Sequence, residues 1–260
     1  MIGFIGGGNM AEALIKGIVA KYEKNIMVSE PRDDRRDYLE KLYRIKTTPY
    51  NKEVMKECTI IILAVKPQNM DEVTAEISEM STDKIIVTIA AGIPISYLSS
   101  RLKTSKIIRV MPNTPALIQE GMSVMSMCEC MHDKEINIIK DIFMSVGALL
   151  MLPEKHMNAV TALSGSGPGF FAYFIEAFIE GGVKMGLEKS DASTLAIQTM
   201  LGTARLLDAG IAPAQLREMV TSPGGTTEAG LKNFKERNFK DIIISALESA
   251  SNRARELGGK

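Results

Sequence analysis

The first half of the chain alternates short, continuously apolar runs with amphipathic stretches. The apolar runs are rich in Ile and Val, and Ile60–Val65 contains no polar residue. Continuous apolar runs of this length are typical of strands that are buried on both faces of a parallel sheet. The pattern predicts strands at Ile2–Gly6, Asn25–Ser29, Thr59–Val65, Lys84–Ala90 and Lys106–Met111.

Segments with helical spacing lie between these runs, and we predict helices at Asn9–Tyr22, Arg32–Tyr43, Lys52–Glu57 and Met70–Met80. Strand-helix-strand alternation favours right-handed crossovers and a doubly wound, mostly parallel sheet. Two further strands, Ser123–Met127 and Ala148–Leu152, flank a helix near Lys134–Val146 and would complete one edge of that sheet.

After Pro153 the strand patterns end and helical periodicity continues to the C-terminus. The predicted helices are Glu154–Leu163, Phe170–Met185, Ala192–Ala209, Pro213–Val220, Thr226–Glu236 and Phe239–Leu257. The Gly- and Pro-rich stretch 164–169 should kink or interrupt its helix, because both residue types disfavour helix continuation. We therefore predict an α/β domain over residues 1–152 and an all-α domain over residues 153–260.

The composition and charge of the chain bear on which partners it is expected to bind. Lys plus Arg and Asp plus Glu both number 31 among 260 residues, so no overall field favours nucleic acid or an anionic membrane. No apolar run reaches the length of a membrane span, and the first strand begins at once, which leaves no room for a targeting peptide. With three cysteines, we predict a cytoplasmic protein with no nucleic-acid or membrane partner.

Cys128, Cys130 and His132 have the spacing of three soft metal ligands. The other Cys and His are Cys58 and His156, each far away in the sequence. Structural zinc usually requires four ligands in two separated pairs. We predict no metal site and interpret these cysteines as reduced thiols at a strand end.

The first strand leads into Gly6, Gly7, Gly8, Asn9, Met10 and Ala11, which fit the pattern G-x-G-x-x-A. Directly after a strand and at the start of a helix, small residues at these positions allow a tight turn and close approach of a pyrophosphate. This position on the first strand of an alternating fold predicts a dinucleotide site.

The second strand ends at Ser29 and Glu30, where the adenosine ribose of a dinucleotide would lie. An acidic residue there favours NAD(H), whereas an Arg favours the 2′-phosphate of NADP(H). The chain offers both Glu30 and Arg32, with Arg35 and Arg36 behind them, which could equally be a solvated helix start. We favour NADP(H) slightly and keep NAD(H) as the alternative.

The carboxyl ends of the later strands also carry candidate cofactor contacts, because ligands bind at that edge of a doubly wound sheet. The small residues leave room for a nicotinamide ring, Asn113 could bind its carboxamide, and Lys66 either approaches a phosphate or faces water. The candidates are Ala64, Val65, Lys66, Pro67, Ala90, Ala91, Gly92 and Asn113.

Near the C-terminus, Ser222, Pro223, Gly224, Gly225, Thr226, Thr227 and Glu228 join two predicted helices. Pro223 ends the first helix, and the two glycines leave the backbone accessible to a ligand. Unpaired N–H groups at a helix start can hold a carboxylate or a phosphate. The plain alternative is a tight turn between helices, with a Thr as the N-cap.

Together these motifs resemble pyrroline-5-carboxylate reductases over nearly the whole chain. The resemblance rests on the segments 4–10, 64–67, 111–115, 163–168 and 220–230. Members commonly carry a polar residue before Val220, where this chain has Met219. The resemblance implies an N-terminal Rossmann domain and a helical C-terminal domain that intertwines with a second subunit, in dimers that often form decamers.

The implied reaction reduces the C=N bond of pyrroline-5-carboxylate to give proline, with hydride from a nicotinamide. By the resemblance, Thr227 hydrogen-bonds the ring nitrogen, while Ser222 and the backbone of Gly224, Gly225 and Thr226 hold the carboxylate. It also assigns a substrate contact to Glu154 and an adenosine contact to Asn51. As patterns alone, Thr227 and Asn51 would pass as helix caps and Glu154 as a first-turn acid.

Two other classes fit parts of the pattern. A β-hydroxyacid dehydrogenase or another imine reductase would use a catalytic Lys in the helical domain, for which Lys184 and, more weakly, Lys155 are candidates. A nucleotide-sensing protein would bind NADPH without turnover. The sequence leaves open the choice of nicotinamide cofactor, the assembly beyond a dimer, inhibition by proline and activity on other cyclic imines.

Overall fold

The computed structural model describes residues 1–21, 25–128 and 133–258. Its contacts divide the chain into two compact units, one formed by Met1–Ser166 with Ser249–Lys260 and the other by Gly167–Glu248. The boundary thus follows Ser166, whereas the sequence pattern changes at residue 153. The functional division at 152/153 stays a prediction.

The first unit contains an eight-stranded sheet within the described residues, in the order β3-β2-β1-β4-β5-β6-β7-β8. The first six strands are parallel, β7 is antiparallel to β6, and β8 is parallel to β7. The predicted doubly wound, mostly parallel sheet is confirmed. The strands are β1 Ile2–Ile5, β2 Ile26–Ser29, β3 Lys46–Thr48, β4 Ile60–Leu63, β5 Ile85–Thr88, β6 Ile107–Met111, β7 Gly121–Met127 and β8 Gly147–Met151.

Helices connect these strands, and all but α5 lie where the amphipathic stretches predict them. They are α1 Asn9–Lys21, α2 Asp33–Tyr43, α3 Asn51–Glu57, α4 Met70–Ile77, α5 Ile95–Ser99, α6 Asp133–Met144 and α7 Met157–Val160. Short 3₁₀ turns lie at Pro67–Asn69, Ser78–Met80, Thr114–Ile118 and Glu154–His156.

The strand order reverses at β1, which pairs with β2 on one side and with β4 on the other. The register places Ile5 opposite both Ser29 and Leu63, so these three strands end at one level. Ligands of open α/β sheets bind at such a reversal, outside the carboxyl ends of the strands. The fold therefore brings the glycine turn after β1, the end of β2 and the segment after β4 to the same edge.

Both faces of the sheet are covered, because successive strand residues belong to different core clusters. Phe4 and Ile62 lie in one cluster with Leu14 and Phe143. Ile5, Ile61 and Leu63 lie in the other, with Val54 and Met55. This burial explains the continuous apolar runs of the sequence, and truncating such a residue to Ala typically costs about 2–5 kcal/mol.

Two elements of the first unit depart from the sequence prediction. The polar Lys46–Thr48 forms β3 at the sheet edge, paired with β2. Its three residues carry no apolar pattern, so the pairing with β2 decides their conformation. The short α5 follows Pro94, in a segment between two predicted strands for which the sequence pattern predicts no element.

The predicted interruption at residues 164–169 is confirmed. Thr161–Gly165 forms a π-helical turn between α7 and the next helix. A Cβ atom at Gly165 would lie 2.5 Å from Cε of Met111, so the turn packs closely on the end of β6. Turns of this kind recur at functional sites.

The second unit is helical, as predicted. It contains α8 Gly167–Lys184, α9 Lys189–Asp208, α10 Pro213–Met219 and α11 Thr226–Glu236, together with the first part of α12 Phe239–Gly258. Large apolar side chains are exposed on it, among them Phe171 at 63%, Tyr173 at 76% and Ile242 at 58%. Among the described helices, none is both long and apolar enough to cross a membrane.

The cysteines differ in their environments. Cys58 is a buried free thiol, and burial raises its pKa to about 11. Cys128 is disulfide-bonded, which departs from the expectation of reduced thiols at this strand end. The remainder of the predicted motif, Cys130 and His132, lies outside the described residues. The part of the chain that is described contains no cluster of three or more His, Cys, Asp or Glu suited to a metal ion.

Candidate active site

The three glycines after β1 have different surroundings. Gly6 has φ +97°, and a Cβ atom there would lie 2.8 Å from the carbonyl oxygen of Ala64. A Cβ at Gly7 would lie 3.0 Å from Cδ1 of Leu39. A Cβ at Gly8 would meet nothing within 4 Å, because Gly8 opens onto a cavity. Gly6 and Gly7 are therefore required by the fold, whereas Gly8 leaves space for a ligand.

This cavity has a volume of about 580 Å³ and lies at the reversal of the strand order. It brings together Gly6, Gly8, Ser29, Glu30, Arg32, Asn51, Ala64, Val65 and Lys66, which the sequence nominates separately. The fold adds residues that no motif predicted, namely Pro31, Pro49, Asn69, Glu72, Val73 and Glu76. Asn9 is exposed and Met10 half-buried, outside the lining.

Glu30 joins the end of β2 to the glycine turn. Its carboxylate accepts hydrogen bonds from Gly7 N at 3.0 Å and from Arg32 Nε at 2.9 Å. The side chain of Glu30 is 8% exposed, whereas that of Arg32 is 60% exposed. Burial alone would raise the pKa of Glu30, but the hydrogen bonds from Arg32 and Gly7 outweigh it and lower that pKa. Glu30 is thus held as an anion.

The other two arginines of this segment turn inward. Arg35 Nε donates to Gly7 O at 2.7 Å, and its guanidinium pairs with Glu12 at 2.5 Å. Arg36 Nη1 donates to Glu30 O at 2.7 Å. These contacts brace the glycine turn and the end of β2. Of the three arginines, Arg32 lines the cavity.

A chain of hydrogen bonds fixes Asn51 at the start of α3. Ser29 Oγ donates to Asn51 Oδ1 at 2.7 Å, and Asn51 Nδ2 donates to Glu76 Oε2 at 2.7 Å. Asn51 is the first residue of α3, and Tyr50 occupies the N-cap position without a side-chain cap bond. The geometry therefore differs from the helix-cap alternative, because the Asn51 amide is oriented along the cavity by partners on β2 and α4.

The segments after β4, β5 and β6 follow the same sheet edge. Lys66 is exposed at the N-cap of the turn Pro67–Asn69 and lines the cavity. Ala90, Ala91 and Gly92 follow β5 outside the lining, with Gly92 at φ +75°.

Asn113, which follows β6, has polar partners within the protein. Its Oδ1 accepts from Met122 N at 2.8 Å, and its Nδ2 donates to Ser164 Oγ at 3.3 Å. The carbonyl oxygen is thus committed to β7. A nicotinamide carboxamide would have to use the more weakly held amide group of Asn113.

Glu154 is likewise engaged within the first unit. Its Oε1 accepts from Ile95 N at 2.7 Å and from Arg109 Nη1 at 3.3 Å. The side chain of Arg109 is 7% exposed, and burial lowers its pKa against the opposing effect of Glu154. Glu154 therefore joins α5 to β6, a role that neither the resemblance nor the first-turn alternative anticipates.

The glycine turn of the second unit is held by short-range contacts. Gly224 has φ +71°, and Gly225 N donates to Ser222 O at 3.0 Å. Gly225 occupies the N-cap position of α11, so the expected Thr cap is wrong and Thr226 is the first helical residue. The first-turn N–H groups of an α-helix lack intrahelical partners. The backbone N–H groups of Thr226 and Thr227 belong to this first turn of α11.

Glu228 places a carboxylate on this turn. Its Oε2 accepts from Gly224 N at 2.7 Å. The turn therefore binds a carboxylate of its own chain. Thr227 is half-buried, while Ser222, Gly224, Thr226 and Glu228 are exposed.

A cavity of about 700 Å³ adjoins the turn. Its lining includes Gly224 and Gly225, the acidic Glu218 and Glu228, and the cationic Arg217, Lys232 and Lys235. The predicted substrate residues Ser222, Thr226 and Thr227 lie outside this lining. Positive side chains beside a helix start favour an anionic ligand.

The two lysines of the rival enzyme class lie on the surface. Lys184 ends α8 and is exposed, and Lys155 is exposed in the turn Glu154–His156. A catalytic lysine is typically desolvated in a pocket. The surroundings of Lys184 and Lys155 do not favour that chemistry.

Comparison with protein families gives two matches. The model for pyrroline-5-carboxylate reductase dimerisation matches residues 154–257. The model for NADP oxidoreductase, coenzyme F420-dependent, matches residues 1–92.

Individual proteins are similar over the full length. The chain is 40% identical to the pyrroline-5-carboxylate reductase of Synechocystis sp., covering 100% of this chain and 98% of that protein. A pyrroline-5-carboxylate reductase structure from Coxiella burnetii is 34% identical, with a TM-score of 0.91 over 98% of this chain and 97% of that chain. A Plasmodium falciparum pyrroline carboxylate reductase structure with NADP bound is 32% identical, with a TM-score of 0.89 over 99% and 97%.

Proposed function

The chain belongs to the pyrroline-5-carboxylate reductase family, and from that premise we propose how its residues reduce 1-pyrroline-5-carboxylate to proline. It is an oxidoreductase that acts on a C=N bond with a nicotinamide cofactor. The single observation that carries the site assignment is the accessible glycine turn at the start of α11, which already binds a carboxylate oxygen. The substrate carries a carboxylate next to its ring nitrogen, so this turn suits it.

The residues at the β1–β4 reversal fit a dinucleotide. Gly8 leaves open space that a Cβ would fill, and Gly7 N is fixed by Glu30. Gly8, Asn9 and Met10 would face the pyrophosphate from the start of α1. Asn51 and Ser29 would hold the adenosine end, and Lys66 the phosphates. Bound NADPH supplies the hydride that the imine carbon accepts.

We propose that NADPH is favoured over NADH, with NADH accepted. Arg32 is the exposed cation at the ribose end, and the negative charge of Glu30 is paired with Arg32 while its carboxylate also accepts a hydrogen bond from Gly7 N. A guanidinium can bind the 2′-phosphate bidentately. Glu30 limits the preference, because its carboxylate would suit the two free hydroxyls of NADH.

At the substrate turn we propose a division of labour. The N–H groups of Gly224, Thr226 and Thr227 and the hydroxyl of Ser222 hold the carboxylate, with Gly225 keeping the backbone accessible. The hydroxyl of Thr227 hydrogen-bonds the ring nitrogen and keeps its proton in place while the adjacent carbon is reduced. A cyclic imine is readily protonated, so the site needs no strong acid.

The exposed apolar side chains of the second unit support an assembly of identical chains. Contiguous apolar surface on a soluble domain marks an interaction site. We propose a homodimer formed through this unit, whose exposed apolar side chains include Phe171, Tyr173 and Ile242. A decamer built from dimers, and a cytoplasmic location, remain predictions of the sequence.

A turnover assay tests the reaction. We expect the chain to oxidise NADPH with pyrroline-5-carboxylate and to yield proline. We expect no oxidation with 2-oxo acids, and no reduction of NADP⁺ by 3-hydroxy acids. Activity on either acid class without the imine would favour the rival dehydrogenases, and tight NADPH binding without turnover of any cyclic imine would favour a nucleotide sensor.

A further inference from the structure

The loop after β5 meets the C-terminal end of α12 at two glycines. Gly92 has φ +75°, and a Cβ atom built on it would lie 2.7 Å from Cβ of Leu257 and 3.2 Å from Gly258 N. A Cβ built on Gly258 would lie 2.5 Å from the carbonyl oxygen of Gly92. Real Cβ contacts are not this short, so neither side has room for a side chain. The two backbones therefore approach each other directly.

The last turns of α12 present one covered face. Ala254 is 3% exposed, and Leu257 and Gly258, three and four residues on, are half-buried. Residues at this spacing lie on the same side of a helix. Arg255 and Glu256, on the other side, are exposed. The small residues of the covered face let this helix end pack closely, and its contact is the loop that carries Gly92.

The same loop is fixed where it enters α5. Ile95 N donates to Glu154 Oε1 at 2.7 Å, and Glu154 is itself held by the buried Arg109. At the other end, Ala90 N donates to Thr88 Oγ1 at 3.2 Å. Between these anchors, Leu257 and Gly258 supply the contact at Gly92. The position of Ala90–Gly92 thus depends on residues more than half the chain length away.

The place of this loop in the sheet shows what it would contact. β5 is the neighbour of β4 on the side of the strand reversal away from the adenosine end. A dinucleotide bound across the reversal places its other half over the carboxyl ends of β4 and β5. Ala90, Ala91 and Gly92 follow β5 at that end, so a dinucleotide bound there would place its nicotinamide half beside this loop.

We propose that Leu257 and Gly258 are positioning residues, which set the Ala90–Gly92 loop against the nicotinamide half of the cofactor. This rests on the proposed dinucleotide site. Because Leu257 and Gly258 act through the loop, their substitution should lower turnover with NADPH, which requires a correctly placed nicotinamide. The affinity for a nucleotide that has only the adenosine end should not change. A purely structural role would weaken both ends alike.

Three full-length variants test the proposal. Leu257→Ala removes the contact, Gly258→Ala forces the two backbones apart, and Glu256→Ala is the matched control on the exposed side of the same turn. Each is titrated with NADPH and with 2′-phospho-ADP-ribose, which lacks the nicotinamide ring. Steady-state turnover of pyrroline-5-carboxylate is then measured, and thermal unfolding checks that each variant is folded.

For Leu257→Ala and Gly258→Ala we expect kcat/KM for NADPH to fall about 10- to 100-fold, the scale of a small misplacement near the chemistry. We expect the Kd of 2′-phospho-ADP-ribose to stay within about twofold, and Glu256→Ala to match the wild type in both. Equal losses for the two nucleotides, or no loss for either, would overturn the proposal. The proposed function is tested separately by the wild type, and it stands if the wild type reduces the imine whatever the variants do. A wild type that binds neither nucleotide would refute both the proposed function and the positioning role of Leu257 and Gly258.

Discussion

The two glycine turns of this protein are held in different ways. The turn after β1 is fixed by residues distant in sequence: Gly7 N bonds to Glu30, and Gly7 O accepts from Arg35. The turn before α11 is fixed by its immediate neighbours, with Gly224 N on Glu228 and Gly225 N on Ser222 O. The first turn is part of a buried network, whereas the second is largely exposed.

The difference indicates how each half of the reaction is prepared. A buried, fully bonded network keeps its geometry without a ligand, so the cofactor end is organised by the fold of the first unit. An exposed turn with local bonds can exchange partners at small cost. We therefore expect the carboxylate of Glu228 to leave Gly224 N when the carboxylate of the substrate binds.

The largest effect should come from filling the space at the first turn. We expect Gly8→Val to weaken NADPH binding at least about 100-fold, since its side chain would occupy the cavity. Because a Cβ at Gly8 meets nothing within 4 Å, the fold should persist. Fluorescence titration with NADPH measures the affinity of the variant, and thermal unfolding measures whether its fold persists. Gly7→Val is the contrasting variant, because its side chain would clash with Leu39 and should destabilise the fold. If Gly8→Val bound NADPH as tightly as the wild type, the pyrophosphate assignment would be refuted.

At the second turn, Thr227→Ala removes the hydroxyl proposed to hold the ring nitrogen. We expect kcat with pyrroline-5-carboxylate to fall about 10- to 100-fold, as for loss of one positioned hydrogen bond in a transition state. The Kd of NADPH should stay near that of the wild type. Thr194→Ala, an exposed Thr within α9, is the control. Unchanged turnover, or an equal loss of cofactor binding, would make Thr227 structural.

Arg32 tests the ribose end of the cofactor site. We expect Arg32→Gln to raise KM for NADPH about tenfold, the scale of a charge-assisted hydrogen bond, and to leave KM for NADH within about twofold. Arg44→Gln, an exposed Arg at the end of α2, controls for the loss of one positive charge. If KM rose equally for NADPH and NADH, Arg32 would not bind the 2′-phosphate.

Glu228 tests whether the second turn exchanges carboxylates. Its hydrogen bond from Gly224 N is exposed to water, so its net contribution should be about 1 kcal/mol. We therefore expect Glu228→Gln to lower KM for pyrroline-5-carboxylate about two- to fivefold, by removing a competing negative charge. Glu218→Gln changes a carboxylate of the same cavity and should leave KM unchanged. A raised KM would mean that Glu228 helps to bind the substrate.

The smallest effect concerns pH. Folding lowers the pKa of Glu30, so its carboxylate stabilises the fold above the unfolded value of about 4.3 and loses this contribution as pH falls through the folded pKa. We expect the wild type to lose more unfolding free energy than Glu30→Gln between pH 7 and pH 3. Urea unfolding at both pH values measures the difference, and equal losses would contradict the role of Glu30.

The sequence predicts the sheet well because its central strands are buried on both faces and carry unbroken apolar runs. It misses β3, since Lys46–Thr48 has no pattern of its own and forms through pairing with β2. It also misses Glu72 and Glu76, which reach the cofactor cavity through the packing of α4.

The site motifs locate both glycine turns but not their bonding. The sequence cannot tell that Arg35 and Arg36 turn inward while Arg32 stays exposed, because that depends on the packing of α2. The bond from Gly224 to Glu228 had a signal: a Glu three residues after a helix cap often reaches back to unpaired N–H groups. With Gly225 as the cap, Glu228 is at that position.

We propose above all that the turn opening α11 holds the carboxylate of the substrate. A crystal structure of the protein with proline and NADP⁺ tests it most directly. We expect the proline carboxylate within hydrogen-bonding distance of the N–H groups of Thr226 and Thr227, its nitrogen beside Thr227 Oγ1, and Glu228 displaced from Gly224. Proline bound elsewhere, with Glu228 still on Gly224 N, would contradict the account.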